Sequence, residues 1–443
     1  MSIRLGNKKF AIGNNKTLIY NDDSGRFAVD YLENFRNRNG SFKDYKGNLV
    51  KGPQYLGRVD YEGRGGAVIS ESAYTNENAH SEELTNGHYT ASNMAVSLQS
   101  LSGPDKEGTM RTFKLHNSNA NARFSKTYGV SSNRQVNHSL FVKAGNTKYV
   151  GFKMVTNVGD SYAIYNLQEG KVEQTAETST DVEISAKIIS YKDDWYRIAV
   201  AFKEVATSGT NRFDFLVLNS NDITSVVVNK YCFATGYQKT HLKALNAYLP
   251  TYDTKKTSVD DRYKRDKNMR YWLPNNTNNS QYGITFTVRA SVFKFDETSL
   301  GFISIGDSTA DSDSTGTGHF IALEATLKTN DPVVRWRMKT SSNNQSYGPN
   351  MLLGGVSSGD GIETIYHFGI TYTGTNTWLM SVNGSTQVIS GNPTIDTGFI
   401  YDTFSLAQPS GNKFRWNGRV YAVNILDKPS TQAQLNALTA QNL

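Results

Sequence analysis

The feature that most constrains the fold of this chain is a series of short segments in which apolar residues recur at every second position. In DDWYRIAVAF, residues 193–202, Ile198, Val200 and Phe202 are spaced two apart. That period places one face of an extended strand in a core and leaves the other face polar. Similar runs follow one another from Ala67 to Thr240, separated by Gly, Asn, Ser and Asp clusters and without a long amphipathic helix. This organisation predicts a β-sandwich or jelly roll rather than a parallel α/β sheet.

The C-terminal part of the chain repeats this all-β organisation. Asn383-Gly384 and Asn417-Gly418 each lie between strand-like runs, which is a strong short hairpin signal. Thr431 and Gln434 have the spacing of a capping box and predict one short helix near the end. We therefore predict an all-β protein, with two consecutive β-sandwich (jelly-roll) domains after an extended N-terminal anchoring segment and one short C-terminal helix.

Changes in composition divide the predicted fold into three segments. Residues 46–66 contain six glycines and bury little apolar surface, so we expect the N-terminal segment to be ordered by its neighbours. The charged stretch after Pro250 suits a surface connector. The predicted segments are an anchor at 1–62, a first sandwich at 63–262 and a second sandwich at 263–443.

Charge and cysteine content exclude several classes of protein. The chain has 47 Lys and Arg against 40 Asp and Glu, a net charge of +7, but the basic residues are scattered and no RNA-binding motif accompanies them. We therefore expect no nucleic-acid partner. The single cysteine, Cys232, excludes an internal disulfide and lies in an apolar run, where a buried thiol is expected. No apolar run approaches the roughly 20 residues of a membrane span, so no membrane insertion is expected.

One loop carries a candidate metal site. The stretch GDSTADSDSTGTGH contains Asp307, Asp311 and Asp313, and Asp-x-Asp spacing suits a hard cation such as Ca²⁺. It is not an EF-hand, because the twelfth position counted from Asp311 is Ala322 rather than Glu. The alternative is a solvated polar hairpin. No other cofactor is expected.

Carboxylates for hydrolysis are present, but no pair is marked by its spacing. The candidates are Asp193, Asp194, Glu324 and Glu363, and Glu324 is expected to face out of its sheet. No nucleophile elbow, zinc-binding His motif or phosphate-binding loop occurs. The sequence therefore predicts no catalytic residues and a protein that is not an enzyme, although folding can assemble a pair that spacing does not reveal.

Aromatic residues are the candidates for sugar binding, because pyranose rings stack on tyrosine and tryptophan faces. Tyr347 lies in the polar loop SSNNQSYGPN beside Asn344. Core packing is the first expectation for Trp336, Trp378 and Trp416, but Trp378 is kept with Tyr347 and Asn344 as a candidate glycan contact. Trp195, at the start of its strand, is expected in the core.

Three ordered elements of the first predicted sandwich resemble a carbohydrate-binding-module-like jelly roll that is common in bacteriophage structural and tail-fibre proteins. The module has a Glu-x-x-x-Thr-Asn element, a Trp-Tyr-Arg strand and a Pro-Thr-x-Tyr-like element. Their counterparts here are Glu71, Thr75 and Asn76, then Trp195, Tyr196 and Arg197, then Pro250, Thr251 and Tyr252. The resemblance covers about residues 63–262.

The second predicted sandwich resembles concanavalin A-like and laminin-G-like domains. The segments that carry this resemblance are LGFISIGDS, TWLMSVNGS and GRVYAVNILDKPSTQAQLNAL. The N-terminal units IRLGNKKF and FAIGNNKTLIY are similar to short anchoring segments of phage appendage proteins.

These resemblances imply a structural protein of a bacteriophage particle, such as a head or tail fibre or a decoration protein, on the virion surface after assembly in the host cytoplasm. They also imply a homotrimer whose N-terminal segment binds a capsid or tail protein and whose sandwiches bind bacterial surface polysaccharide without cleaving it. One alternative is a glycan depolymerase or glycosidase on the second sandwich, and another is a structural spacer without a ligand.

Overall fold

The structure is a computed structural model that describes the strands, the helix and most connections of the first sandwich. The described residues are 2–3, 12–13, 16–21, 27–28, 33–34, 40–52, 59–62, 66–71, 74–85, 87–129, 134–156, 159–177, 184–204, 210–241, 245–258, 263–265, 284–292, 301–306, 320–328, 331–339, 345–348, 351–352, 365–372, 378–388, 403–406, 416, 418–426 and 429–440.

Ten short strands precede the first sandwich. Two of them, β6 and β7, form a hairpin of their own. The ten strands are β1 (Ser2–Ile3), β2 (Ile12–Gly13), β3 (Lys16–Asn21), β4 (Phe27–Ala28), β5 (Glu33–Asn34), β6 (Gly40–Lys43), β7 (Leu49–Gly52), β8 (Val59–Asp60), β9 (Ala67–Ser70) and β10 (Thr75–Asn76).

The first sandwich consists of two six-stranded antiparallel sheets. One has the order β11-β14-β21-β16-β17-β18 and the other the order β12-β13-β22-β15-β20-β19. Their strands are β11 (Thr90–Ser92), β12 (Met94–Gln99), β13 (Thr112–Asn117), β14 (Arg123–Gly129), β15 (Arg134–Ala144), β16 (Tyr149–Thr156), β17 (Gly159–Asn166), β18 (Lys171–Ala176), β19 (Ile184–Ser190), β20 (Trp195–Glu204), β21 (Thr210–Leu218) and β22 (Tyr231–Thr240).

Strand β20 separates two apolar clusters. Ile198, Val200 and Phe202 point into the core between the two sheets, as their alternation predicts. Trp195 belongs to a second cluster on the other face of the strand, where Leu49 of the β6–β7 hairpin packs against it. The expected burial of Trp195 is confirmed, with 1% of its surface exposed. The N-terminal hairpin therefore covers the outer face of this sheet.

The second sandwich is also antiparallel, and strands from the N-terminal segment extend both of its sheets. One sheet has the order β29-β28-β27-β26-β34-β24-β5, and the other the order β33-β32-β31-β25-β35-β3-β4. The remaining strands are β23 (Lys256–Thr257), β24 (Tyr263–Arg265), β25 (Ile284–Val292), β26 (Gly301–Gly306), β27 (Phe320–Lys328), β28 (Asp331–Lys339), β29 (Gln345–Tyr347), β30 (Met351–Leu352), β31 (Tyr366–Tyr372), β32 (Trp378–Val382), β33 (Ser385–Val388), β34 (Thr403–Ser405) and β35 (Gly418–Leu426).

The pairing of N-terminal strands with the last strand of the chain bears on the predicted anchor. Strand β3 pairs with β35, and β9 pairs with both β8 and β35. These strands therefore find hydrogen-bonding partners within the chain, at the sheet that the C-terminal segment forms. The boundaries at residues 62 and 262 stay a prediction.

Two of the predicted local signals of the second sandwich, the Asn383-Gly384 turn and the capping box, are present in the structure, whereas Asn417 of the other predicted hairpin lies outside the described residues. Asn383 and Gly384 both have positive φ, 48° and 83°, in the two-residue turn between β32 and β33. The predicted capping box is confirmed, because Thr431 and Gln434 exchange hydrogen bonds at the start of helix α1 (Gln432–Thr439). The predicted fold class, an all-β chain of sandwiches with one short C-terminal helix, is thus confirmed. Within the described residues, no helix has both the length and the apolar character to cross a bilayer.

Candidate functional site

The structure corrects one of the predicted glycan contacts. Trp378 has no exposed surface and packs against Tyr372, with the two ring centroids 4.7 Å apart. A ring without an exposed face cannot stack on a sugar, so the prediction for Trp378 is wrong. The backbone of Tyr347 lies in β29, opposite Arg337. Asn344 and the side chain of Tyr347 lie outside the described residues, and their roles stay predictions.

The predicted metal ligands also lie outside the described part of the chain. Asp307, Asp311 and Asp313 belong to residues 307–319, which the structure does not describe. Among the residues that it does describe, no group of three or more His, Cys, Asp or Glu side chains could hold a metal ion. Calcium binding stays a prediction.

The three described carboxylates that were considered for hydrolysis have separate surroundings. Glu324 is not a solvent-facing acid, because only 1% of its surface is exposed and its Oε1 lies 3.2 Å from Arg335 Nη2. Asp193 and Asp194 lie on an exposed turn before β20, and both have positive φ. Glu363 lies outside the described residues.

The residues that carry the first resemblance hold two chain segments together. Glu71 accepts a hydrogen bond from the backbone of Ala247 at 2.9 Å, and the Asn76 amide donates to the carbonyl of Leu249 at 2.8 Å. Thr251 Oγ1 donates to the carbonyl of Asn78 at 2.7 Å. All three side chains are buried. Their role in the structure is to fix residues 246–252 against residues 71–82, rather than to contact a ligand.

This fixed segment ends at an exposed aromatic ring. Tyr252 is 51% exposed, and its carbonyl lies 2.6 Å from Nδ1 of His80. The backbone N–H of Glu82 donates to the carbonyl of Thr251, the residue before Tyr252, at 3.3 Å. A ring that is presented to solvent on a hydrogen-bonded backbone is arranged for contact with a ligand.

Beside Tyr252 lies a buried carboxyl group. Glu82 is 2% exposed, and its Oε1 accepts a hydrogen bond from the Tyr248 hydroxyl, which is also 3.0 Å from Ser81 Oγ. Its other oxygen, Oε2, is buried and has no hydrogen-bond partner. Native structures leave few buried polar atoms unsatisfied. This oxygen is therefore a buried polar atom that the fold leaves unsatisfied.

Burial raises the pKa of Glu82, and the Tyr248 hydroxyl and the nearby Lys51 charge oppose this effect only in part. Burial also raises the pKa of Tyr252, and the charges of Glu82 and Asp105 raise it further. Lys256 lies over the Tyr252 ring, 5.1 Å from its centroid. We call these five residues, Tyr252, Glu82, Lys51, Asp105 and Lys256, the edge site.

A second candidate surface lies on the outer face of the β14-β21-β16-β17 part of the first sandwich. Ser125 is directly opposite Asp214, Asp214 is opposite Lys153, and Lys153 is opposite Tyr162. We call these four residues the cross-strand row. Four adjacent strands with a spacing of about 4.8 Å make this row about 14 Å long.

Polar contacts hold the side chains of the cross-strand row in place. Ser125 Oγ lies 2.8 Å from Asp214 Oδ1, and Arg212 Nε donates to the same carboxylate at 2.9 Å. Lys153 is paired with Asp160 at 2.7 Å, and both side chains are partly exposed, at 29% and 39%. Gln174 donates to the Tyr162 hydroxyl at 3.1 Å on the neighbouring strand. Ser125 and Asp214 are themselves buried, so the groups that reach the surface are the Lys153–Asp160 ion pair and the partly exposed ring of Tyr162.

Sequence reasoning missed both surfaces. Alternation shows which residues share a face, but the cross-strand row depends on the register of strands that lie far apart in sequence. Tyr252 was recognised as part of a motif, whereas Glu82 is separated from it by 170 residues and carries no motif. The only feature that distinguishes Glu82 is its burial in a polar loop. The burial of a loop residue cannot be read from a single sequence.

Comparisons with known proteins give structural matches only. No family model matches the sequence, and no curated protein matches it. Among solved structures, the CBM40 of Ruminococcus gnavus IT-sialidase bound to α2,6-sialyllactose matches with 11% identity and a TM-score of 0.28, over 36% of this chain and 84% of that chain. Trypanosoma rangeli sialidase in complex with the inhibitor DANA matches with 10% identity and a TM-score of 0.29, over 80% of this chain and 63% of that chain.

A third match has the same low similarity. The leech intramolecular trans-sialidase complexed with 2,7-anhydro-Neu5Ac matches with 11% identity and a TM-score of 0.29, over 37% of this chain and 24% of that chain. These three matched proteins are two sialidases and a sialidase carbohydrate-binding module. At TM-scores this low, they assign neither a ligand nor a reaction to this chain. They give no support to a bacteriophage origin.

The prediction that the protein is not an enzyme is withdrawn as wrong. That prediction was based only on the absence of catalytic motifs. The structural matches include sialidases, one of which covers 80% of this chain. The same low TM-score prevents the match from naming an activity.

Proposed function

We propose that the protein binds glycans, and that the first sandwich does so along the cross-strand row. The observation that carries this proposal is the alignment of Ser125, Asp214, Lys153 and Tyr162 at directly opposite positions of four strands. Sugar hydroxyl groups are both donors and acceptors, so they match the partly exposed Lys153 ammonium, its Asp160 partner and the Tyr162 hydroxyl, which the buried Ser125 and Asp214 support from beneath. The tyrosine ring adds an apolar face for the ring carbons of a sugar.

The other sheet of the first sandwich is less suited to this role. Its outer face is occupied by the apolar cluster that includes Leu49, Met110 and Tyr248, so that the N-terminal hairpin and two loops cover it. On the β14-β21-β16-β17 face, a loop cluster with Ile223 covers only the end nearest Leu216 and Leu218. A linear oligosaccharide that crosses strands β16 and β17 would contact Lys153 and Tyr162 in turn.

Weak contact at each site would be strengthened if several copies act together. The predicted homotrimer, the bacteriophage particle, the capsid or tail partner and the virion location are proposals of the same kind, and they rest on the sequence resemblance alone. Bacterial surface polysaccharide is the ligand that this resemblance favours.

The test is a titration of purified protein with bacterial envelope polysaccharide, with binding and released reducing ends followed together. Tyr162→Ala should weaken binding about tenfold, because it removes the stacking face from the row. The matched control is Tyr149→Ala, since both tyrosines are partly buried against the same apolar cluster but only Tyr162 lies in the row. Equal weakening by the two variants would contradict the proposal for the row.

A second candidate function is glycoside cleavage, and one observation favours it. Burial raises the pKa of Glu82, and a raised pKa favours the protonated carboxyl that acts as a general acid toward a glycosidic oxygen. Steady release of reducing ends that Glu82→Gln abolishes and Tyr162→Ala leaves in place would favour this candidate. Release that persists in Glu82→Gln would exclude Glu82 as the acid.

A further inference from the structure

We propose that strand β12 is an interaction surface that pairs with the same strand of a second copy of this chain. The proposal goes beyond glycan binding and uses no residue of the cross-strand row. In the paired form, a two-fold axis at Ser97 joins the two β12 strands in antiparallel orientation. The six-stranded sheets of the two copies then continue into each other.

The first support is the position of β12 at the end of its sheet. It pairs with β13 on one side along its whole length, and among the strands that the structure describes none pairs with its other side. The backbone N–H and C=O groups of alternate residues therefore face outward, which is a template for another strand. The side-chain amide of Gln99 donates to the carbonyls of Ser97 and Leu98, at 3.3 Å and 3.0 Å, in an exposed contact that a second strand can replace.

The second support is that β12 lacks the features that protect the other outer strands of the first sandwich. Natural sheets block pairing at an edge with charged side chains, proline, bulges or very short strands. Strand β11 has three residues, β18 contains the ion pair of Lys171 with Glu173 at 3.4 Å, and β19 contains Lys187. Strand β12 has six residues, MAVSLQ, without a charge, a proline or a register shift against β13. A second copy of this strand would therefore meet no like charge.

The third support is an apolar side chain that the sheet leaves uncovered. Met94, Val96 and Leu98 are spaced two apart and therefore share the core-facing side of β12. Met94 is buried and Val96 is partly buried in the core, whereas Leu98 is 53% exposed. Directly opposite residues of an antiparallel pair project from the same face, so an axis at Ser97 places each Leu98 opposite Val96 of the second copy. The pairing thus covers Leu98 with an apolar side chain.

This pairing is separate from the predicted homotrimer. A two-fold contact uses the same surface of both copies and closes after two of them. It would also bring two cross-strand rows into one assembly, which strengthens weak contacts with a polymer.

The experiment is the molar mass of the full chain, measured by light scattering over a concentration series that reaches the high micromolar range. We expect the wild-type protein to reach twice the mass of Ser97→Lys, because a lysine at the axis places two like charges opposite each other. The matched control is Thr175→Lys, at an exposed position of the outer strand β18, and it should keep the wild-type mass. Circular dichroism and melting temperature show that both variants are folded.

A cysteine pair tests the position of the axis. Ser97→Cys should form a covalent dimer under mild oxidation, because directly opposite residues have Cβ atoms about 4.5–5.5 Å apart. Ala95→Cys should not, since Ala95 would lie opposite Gln99 of the second copy. The native Cys232 is buried and does not compete.

Equal masses of Ser97→Lys and the wild-type protein overturn the pairing, and so does an equal loss of mass in both lysine variants. A covalent dimer that forms equally in both cysteine variants also overturns it, because random collision would then explain the link. Absence of the link in Ser97→Cys overturns the axis at Ser97.

Discussion

Arg197 Nη1 lies 3.2 Å from Glu62 Oε1, and both side chains are buried. Arg197 belongs to β20 of the first sandwich, whereas Glu62 follows β8, a strand attached to the second sandwich through β9. The pair therefore joins the two sandwiches at a position where neither charge reaches solvent. The motif arginine of the first sandwich has its partner in the N-terminal segment.

A second arginine completes this contact from the other side. Arg419 of β35 lies 3.6 Å from Glu62 Oε2 and 3.0 Å from Asp60 Oδ2. The hydroxyl of Tyr191 donates to Glu62 as well. Burial by itself raises the pKa of Glu62, but Arg197 and Arg419 outweigh that effect and hold the pKa below its usual range. The carboxylate thus stays ionised between two cations.

Glu62→Gln should lower the free energy of unfolding by about 3–5 kcal/mol, because it leaves the buried guanidinium of Arg197 without a counter-charge, whereas Arg419 keeps Asp60. Chemical denaturation at neutral pH measures this change. The control is Glu169→Gln, which removes a carboxylate from an ion pair whose two side chains are each 51% exposed, and it should leave stability unchanged. Equal stability of Glu62→Gln and the wild-type protein would show that this contact does not hold the sandwiches together.

The sequence predicts much of the fold because its strongest signals are local. The alternation of Ile198, Val200 and Phe202 depends only on neighbours in the chain, and so do the Asn383-Gly384 turn and the capping box. The pairing of β3 with β35 joins the two ends of the chain, and no local pattern marks it. The N-terminal segment was therefore expected to find its partners outside the chain.

The sites were harder to predict for a related reason. Tryptophan is a residue type that often stacks on sugars, but Trp378 is fully buried because its side chain lies in the core of the second sandwich. Glu82 and Tyr252 become neighbours only when the motif residues fix residues 246–252 beside residues 71–82. Residue type indicates the chemistry that a side chain can perform, whereas exposure depends on the complete fold.

Gly236→Ala should destabilise the first sandwich by about 1–3 kcal/mol, because the site has neither the conformation nor the space for a side chain. Gly236 has φ of 66°, and an added Cβ would lie 2.7 Å from Met110 Cε and 2.8 Å from Phe141 Cδ2. It lies at a bulge where the register between β15 and β22 shifts. Thermal and denaturant unfolding measure the change.

Gly87→Ala is the matched control for this substitution, because an added Cβ at Gly87 would meet no atom within 4 Å. The control should unfold like the wild-type protein. If both variants unfold alike, the bulge at Gly236 accepts a side chain and the predicted strain is absent.

His138→Phe should remove part of the acid sensitivity of the first sandwich. Burial, followed by the charges of Lys239 and His241, holds the pKa of His138 well below its usual range. In the wild-type protein, the unfolded chain binds a proton at this histidine as pH falls through about 6.5, and the folded chain does not. Stability should therefore decline by up to about 1.4 kcal/mol per pH unit below that point, and the decline should be smaller in the variant.

The Phe ring can keep the stacking on Phe213, whose centroid is 3.8 Å from that of His138. Tyr237 loses its contact with His138 Nδ1 but keeps the Tyr128 hydroxyl at 2.8 Å. Denaturation between about pH 7 and pH 5 gives the two stability profiles. His116→Phe, at a half-buried histidine of the same sandwich, serves as the control. Parallel profiles of His138→Phe and the wild-type protein would contradict the prediction.

Glu82→Gln should change the pH dependence of stability in the opposite direction. Burial raises the pKa of Glu82 in the folded protein, so the folded state holds a proton that the unfolded chain releases at the usual value of about 4.3. The stabilising contribution of this neutral carboxyl is fully present below that value and is lost as pH rises through the folded-state pKa. Glutamine does not ionise, so the variant should gain stability relative to the wild-type protein as pH rises from about 4.3 through the folded-state pKa of Glu82.

Tyr248→Phe provides an internal check on this prediction. The Tyr248 hydroxyl donates to Oε1 of Glu82 and lowers its pKa, so its removal should move the change in stability to higher pH. Denaturant titrations of the wild-type protein and both variants at a series of pH values measure the three profiles. If Glu82→Gln and the wild-type protein keep a constant difference across the whole range, the carboxyl of Glu82 ionises as it does in the unfolded chain. Its unpartnered oxygen would then be solvated.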